Sequence, residues 1–251
     1  MARTFFLLIL ASTAPVLWAQ TPPLQTTEHS LTKKSELICI HEDQQKTCSL
    51  YTVNGLQTNW PWLSQLIRKQ SESEQPVLTA KRLPVPTGFK TKSDWVMQRE
   101  YAVNHTGTYR DLVGIEFGGW DYGNGAAHGN PYASHNLYDA QTQQEVSFAD
   151  MVLPEKKEAL KQALQQSFAT WLNREQDDDK GRGAVEEQDD AEEHWPEHAK
   201  ISDSVTLSKQ GVVFHYGVYE LGAYAMGTPD LELTWKQVLP MLKPQWRQRL
   251  Q

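Results

Sequence analysis

The chain is short of thiols, of positive charge and of long apolar runs. Only two cysteines, Cys39 and Cys48, occur in 251 residues, and 24 basic side chains face 31 acidic ones for a net charge of −7. A chain this acidic is a poor ligand for nucleic acid or for an anionic membrane surface, and suits a basic partner better. After the first twenty residues no apolar run reaches the roughly 20 residues that a spanning helix needs. Recognisable catalytic spacings are missing as well. There is no His-Glu-x-x-His, no Gly-x-Ser-x-Gly elbow and no phosphate-cradling glycine loop with a lysine.

The N-terminus reads as a secretory signal. Arg3 supplies the positive end, Phe5 to Ala11 the apolar run, and Pro15 precedes a small-residue cleavage site after Ala19. In an oxidising compartment Cys39 and Cys48 are expected to pair, as a staple across a hairpin. Such a pairing removes a thiol nucleophile, and its spacing is wide for a redox motif.

Composition marks a signal peptide over 1–19 and a flexible polar leader over 20–35; the division of the rest into a hairpin-and-helix segment over 36–94 and a main domain over 95–251 is what a resemblance of its later motifs to a known family implies. Asn59 as N-cap and Pro61 in the first turn predict an amphipathic helix over 60–70, with Trp62, Leu63, Leu66 and Ile67 on one face. Strand patterns are expected from Val77. His105 to Thr108 reads as a turn, Gly118 to Gly125 as a glycine loop and Tyr132 to Asp139 as a strand. Pro154 opens a helix ending near Asn173, with Leu160, Leu164, Phe168, Trp171 and Leu172 on one face. Residues 174–198 hold eleven acidic and three basic side chains and read as a solvated insert. Strands resume at Val205, at Val212 to Tyr219 and at Leu231, and Lys236 to Leu242 closes the chain as a short helix or turn. The fold class is α+β, a mostly antiparallel sheet with two or three packed helices.

What the chain has in quantity is glycine and tyrosine in two motifs about ninety residues apart, Tyr122-Gly-Asn-Gly125-Ala-Ala-His128-Gly129-Asn130 and Tyr219-Glu220-Leu-Gly-Ala-Tyr224-Ala-Met-Gly227. Glycine loops let a backbone approach a partner closely. Exposed aromatics on such loops favour recognition of proteins or sugars, although the same rings serve to cover a sheet. His128, His135 and Asp139, or His194 and His198, have separations compatible with a metal, but nothing in their spacing requires one. Asp121, Asp139, Asp150 and Glu220 are the carboxylates nearest the motifs, and sequence alone cannot bring two of them together as glycoside hydrolysis needs.

The two motifs and the elements between them resemble the RsiV-like domain, the extracellular part of the anti-sigma-V factor, also present beside the catalytic domain of some peptidoglycan deacetylases. Asn136-Leu-Tyr-Asp139-Ala-Gln-Thr142, Val146-Ser-Phe-Ala-Asp150 and the 154–172 helix fit the family's intervening pattern, so the likeness spans roughly 95–243. The first motif departs from it, with Gly123-Asn-Gly125 and an extra alanine in place of a Gly-Gly pair. The resemblance implies an extracytoplasmic, non-catalytic domain that binds lysozyme. The expectation is therefore a periplasmic or secreted binding protein without a cofactor or metal, with lysozyme or another peptidoglycan-active enzyme as partner. Its expected binding residues are Tyr122, Gly125, His128, Gly129, Tyr219, Glu220 and Tyr224, with Tyr224 the foremost exposed contact. The alternatives are a cell-wall carbohydrate-binding module, or a hydrolase using His128, Asp139 or Glu220.

Overall fold

The computed structural model describes residues 22–32, 36–42, 44–89, 96–123, 125–179 and 197–251. The expected signal segment and most of the acidic stretch lie outside them. A seven-stranded sheet is built from β1 (Thr26–Ser30), β2 (Glu36–Glu42), β3 (Gln45–Thr58), β4 (Met97–Tyr109), β5 (Leu112–Gly123), β6 (Asn130–Asp139) and β7 (Gln144–Val146). Its order is β1-β3-β4-β5-β6-β7, with β2 also beside β3. A second sheet holds β8 (Val205–Leu207), β9 (Gly211–His215) and β10 (Asp230–Thr234), in the order β10-β9-β8. All pairings are antiparallel except β3 with β4, which run parallel because helix α1 (Pro61–Glu74) carries the chain back between them. The fold class is thus α+β and mostly antiparallel, as expected.

The main sheet is covered on both faces. On one, α1 lays Leu63 and Ile67 over Tyr51, Val53, Tyr101, Val103, Val113, Ile115 and Phe117, all buried. On the other, α3 (Lys157–Asp179) and the small sheet close a second core, where Leu160, Leu164 and Phe168 meet Val212, Phe214, Leu231 and Leu233, with Leu112 and Leu137 from the main sheet. Strand alternation assigns the faces: odd residues of β5 point to α1, even ones to the small sheet.

Several local expectations change. The polar leader is not loose throughout: Thr26–Ser30 pairs with β3 as an edge strand, and Thr32 Oγ1 accepts the Val53 amide at 2.9 Å where this strand breaks off. Asn59 is not the cap of α1. Its side chain holds that leader instead, accepting from Gln25 N at 2.8 Å and donating to Pro23 O at 2.9 Å. Helix α1 runs on to Glu74, and Pro76–Leu78 is a 3-10 turn rather than a strand. The β4–β5 turn falls at Arg110-Asp111, with Arg110 at φ 57°, and the His105–Gly107 stretch is a bulge inside β4. Gly118 to Gly123 is strand: a Cβ on Gly119 would lie 2.0 Å from Glu100 O and 2.6 Å from the Tyr132 hydroxyl, so glycine here makes room within the sheet. Helix α3 passes Asn173 to Asp179. The C-terminus adds α4 (Trp235–Val238) and α5 (Pro244–Leu250) beside the short α2 (Phe148–Met151). Cys39 and Cys48 are directly opposed across β2 and β3 and are bonded, a feature of an oxidising, non-cytoplasmic compartment. No helix among the described residues is long and apolar enough to cross a membrane.

Candidate functional site

The first motif begins on β5. Trp120 and Tyr122 share the face opposite α1, their rings parallel within 4° and 5.5 Å apart. The chain then loops back to β6, and Gly125 turns it at φ 90°. The Tyr122 hydroxyl donates to Ala126 O at 3.2 Å and so holds the loop. Gly129 lies against the Trp120 indole so closely that a Cβ would sit 1.9 Å from its Nε1. His128 Nδ1 lies 2.9 Å from Gly129 O; since that oxygen only accepts, Nδ1 carries the proton.

The second motif is the connection between β9 and β10, residues 216–229. Strand β9 stops at His215, so Tyr219 and Glu220 belong to a turn and not to a strand end. Glu220 N donates to Gly217 O and its Oε2 accepts from Gly217 N, both at 3.1 Å. That turn puts Tyr219 at φ 67°, a left-handed conformation that a bulky residue rarely adopts. Its ring is 61% exposed.

The two motifs meet. Tyr224 stacks on His128 with ring centroids 3.8 Å apart, and its hydroxyl donates to Gly129 O at 2.8 Å. Tyr219 leans on Tyr224 at 5.5 Å and 44°. The result is a continuous array, Tyr122, Trp120, the Gly129 backbone, His128, Tyr224 and Tyr219, with Gly129 buried in its middle and His128 and Tyr219 exposed. The roles within it differ from expectation. Tyr224 is half-buried and spends its hydroxyl on the loop, whereas Tyr219 projects into solvent.

A polar layer separates this array from the second core. His135 on β6 and His215 on β9 stack face to face, centroids 3.8 Å apart. His135 Nε2 is 3.3 Å from Glu116 Oε2, and its Nδ1 is 3.1 Å from Ser204 Oγ. His215 Nδ1 is 2.7 Å from Asp230 Oδ1, and its Nε2 is 3.0 Å from Thr206 Oγ1. The His135 hydrogen bond holds the Glu116 carboxyl below its ordinary range. His215 and Asp230 are directly opposed in register, so they form the base of the 216–229 loop. These four residues come from four strands. Nothing local in the sequence joins them: His135 stands out only beside His128 and Asp139 as a possible metal ligand, and Glu116, His215 and Asp230 not at all.

The carboxylates weighed for hydrolysis are dispersed. Asp139 is 1% exposed and clamped by Arg249, whose guanidinium donates to its two oxygens at 2.9 and 2.7 Å. Burial pushes its carboxyl up, but the Arg249 and Gln141 hydrogen bonds outweigh that and hold it below the usual range. Asp121 lies on the α1 face, lining a cavity of about 460 Å³ with Arg99, Glu42 and Glu74, and burial raises its carboxyl. Asp150 sits at the start of α2, and Glu220 is committed to its own turn. No three His, Cys, Asp or Glu side chains among the described residues are placed to hold a metal. His194 lies outside the described residues. The geometry is suited to recognition through an aromatic surface.

A family model described as "Protein of unknown function (DUF3298)" matches residues 149–236, which include the second motif but not the first. A crystal structure of a DUF3298 family protein from Pseudomonas aeruginosa PAO1 is similar at a TM-score of 0.59 and 19% identity, over 88% of this chain and 95% of that one. A member of the family from Bacteroides fragilis is similar at 0.56 and 16%, over 91% and 97%. At these identities the likeness is one of fold. No curated protein matches the chain.

Proposed function

We propose that the chain is an exported, non-catalytic binding protein that engages a protein partner through the Tyr219 end of the aromatic array. One observation carries the reading. Two motifs far apart in sequence build one array, and it ends in a tyrosine held at φ 67° and 61% exposed. A strained backbone that exposes an aromatic ring serves binding better than it serves folding. The supported turn also limits the entropy lost when the ring docks. The resemblance to the RsiV-like domain implies lysozyme or another peptidoglycan-active enzyme as partner, and the net charge of −7 suits a basic protein of that kind.

Calorimetry with lysozyme at low salt tests the reading. Saturable binding is expected, with Tyr219→Ala weakening it about tenfold or more, the loss typical of a central aromatic anchor. Absence of heat with lysozyme, together with saturable binding of muropeptides, would replace the protein partner with a cell-wall carbohydrate.

A further inference from the structure

We infer that the cavity between the end of α1 and the rung Tyr51–Arg99–Asp121 is a binding site for an organic cation, an ammonium group on a short apolar stem. Tyr51, Arg99 and Asp121 stand side by side on β3, β4 and β5 and face α1. Beside them Gly119 brings no side chain, and Tyr132 lies across it to reach Gln75. Glu74 and Gln75 close the cavity from the helix end, and its volume of about 460 Å³ is ample for a small amine.

The lining is rich in acceptors and short of donors. The Arg99 guanidinium is already spent: it forks onto Glu42 at 2.9 and 3.1 Å and offsets that charge. Asp121 is opposite Arg99 in the ladder, yet its oxygens have no hydrogen-bond partner among the described residues. Burial raises its carboxyl, so its charged form is the one in want of a partner. Gln75 is a second such group. It is only 9% exposed, its amide donates to the Tyr132 hydroxyl at 3.2 Å, and its carbonyl oxygen has no partner among the described residues. Ser134, opposite Phe117 and on the same face, adds a hydroxyl. Against these acceptors stands one unpaired buried donor, Arg99 Nε. Glu74 accepts from the Tyr101 hydroxyl at 3.1 Å and ends α1, whose last turn carries no basic side chain to offset the partial negative charge of a helix C-terminus. Asp121 and Glu74 therefore stand uncompensated beside that helix end. Such a lining repels an anion, and a neutral alcohol meets too few of its acceptors. An ammonium supplies three donors and the missing charge. Phe117 and Pro76 offer apolar surface to its stem.

Calorimetry of the full chain with n-pentylamine at about pH 7.5 tests the site, with 1-pentanol and pentanoate as controls of the same stem. Saturable binding is expected of the amine and of neither control. Asp121→Asn keeps the shape and removes a desolvated charge, so it should fold at least as well as the wild type. It should weaken the amine about tenfold or more, the loss typical of a hydrogen bond to a charged group. Glu232→Gln, which takes the same charge from an exposed position on β10, should change nothing. Absence of saturable amine binding overturns the inference. So does equal affinity in Asp121→Asn, or pentanol that binds as well as the amine. The aromatic array lies on the other face of the sheet, so Tyr219→Ala should leave amine affinity as it is, and either reading can fail without the other. Competition identifies the source of the ammonium. Pentylamine that displaces lysozyme assigns it to a lysine of the partner, and pentylamine that binds alongside lysozyme assigns it to a free amine; both uphold the site.

Discussion

The two faces of the seven-stranded sheet are finished differently. Under α1 the face is buried at Tyr51, Val53, Tyr101 and Val113, and opens beside Phe117 into the polar cavity lined by Arg99, Glu42, Glu74 and Asp121. Under the small sheet, burial is complete only at the end near Leu112. It then gives way along β5 to Glu116 with its histidines, and finally to Trp120 and Tyr122 beneath the loops. One strand, β5, therefore stabilises the molecule with its odd residues and grades from core to surface with its even ones. The covered face serves stability. The partly covered one leaves an edge where aromatic residues remain in reach of a partner.

The comparison can be broken core first. Phe117 and Phe168 anchor opposite faces, at 1% and 0% exposure. Phe117→Ala and Phe168→Ala should each cost about 3–5 kcal/mol in denaturant titration. A small effect from Phe168 alone would mean that the second face does not cooperate with the first. Asp139→Ala should cost about 2 kcal/mol at neutral pH, because Arg249 loses its two hydrogen bonds to the buried carboxylate and keeps only Asp111 at 2.7 Å. The sign with pH follows from a carboxyl held below its ordinary range: its stabilisation is present above about pH 4 and drains away as pH falls through the folded-state value. A wild-type stability curve with no acid-side loss missing from the mutant would refute this. Reducing Cys39–Cys48 should cost about 2–3 kcal/mol for so short a loop and should disturb the α1 face only. Amide exchange that rose equally around Tyr219 would show the faces to be more tightly linked than drawn. The smallest effect has the opposite sign. Tyr219→Gly relieves the left-handed backbone and should leave stability level or raised by up to about 1 kcal/mol, while lysozyme affinity collapses. Thermal melting and calorimetry on the one variant check both halves.

Much of the fold was legible where side-chain chemistry is local. Leu160, Leu164 and Phe168 mark α3, Pro61 starts α1, and the spacing of Cys39 and Cys48 locates the hairpin. Boundaries were misread where a residue serves a distant neighbour. Gly118 and Gly119 look like loop residues until Glu100 and Tyr132 are seen pressing on them. Asn59 looks like a cap until Pro23 and Gln25 come back to it. Thr26 to Ser30 has no apolar alternation, so its strand rests on pairing with β3, which composition does not reveal. The two motifs announced themselves by glycine and tyrosine content, and they do converge. Which tyrosine would face solvent was not readable, because it depends on a backbone turn at Gly217–Glu220. The histidine layer was hidden for the same reason: each ring's partners arrive from other strands.

Pro131 and Ser204 together have a consequence for how copies of this chain behave at high concentration. Strand β7 pairs with β6 only at its far end, Leu137 to Asp139, which leaves the near half of β6 as an open rim. Along that rim Pro131 has no amide proton, and the amide of His135 is already taken by Ser204 Oγ at 3.0 Å. Of the amides that point outward there, Ala133 alone is left to recruit another backbone. The near half of β6 is thereby a poor template for another strand, beside an exposed Tyr219.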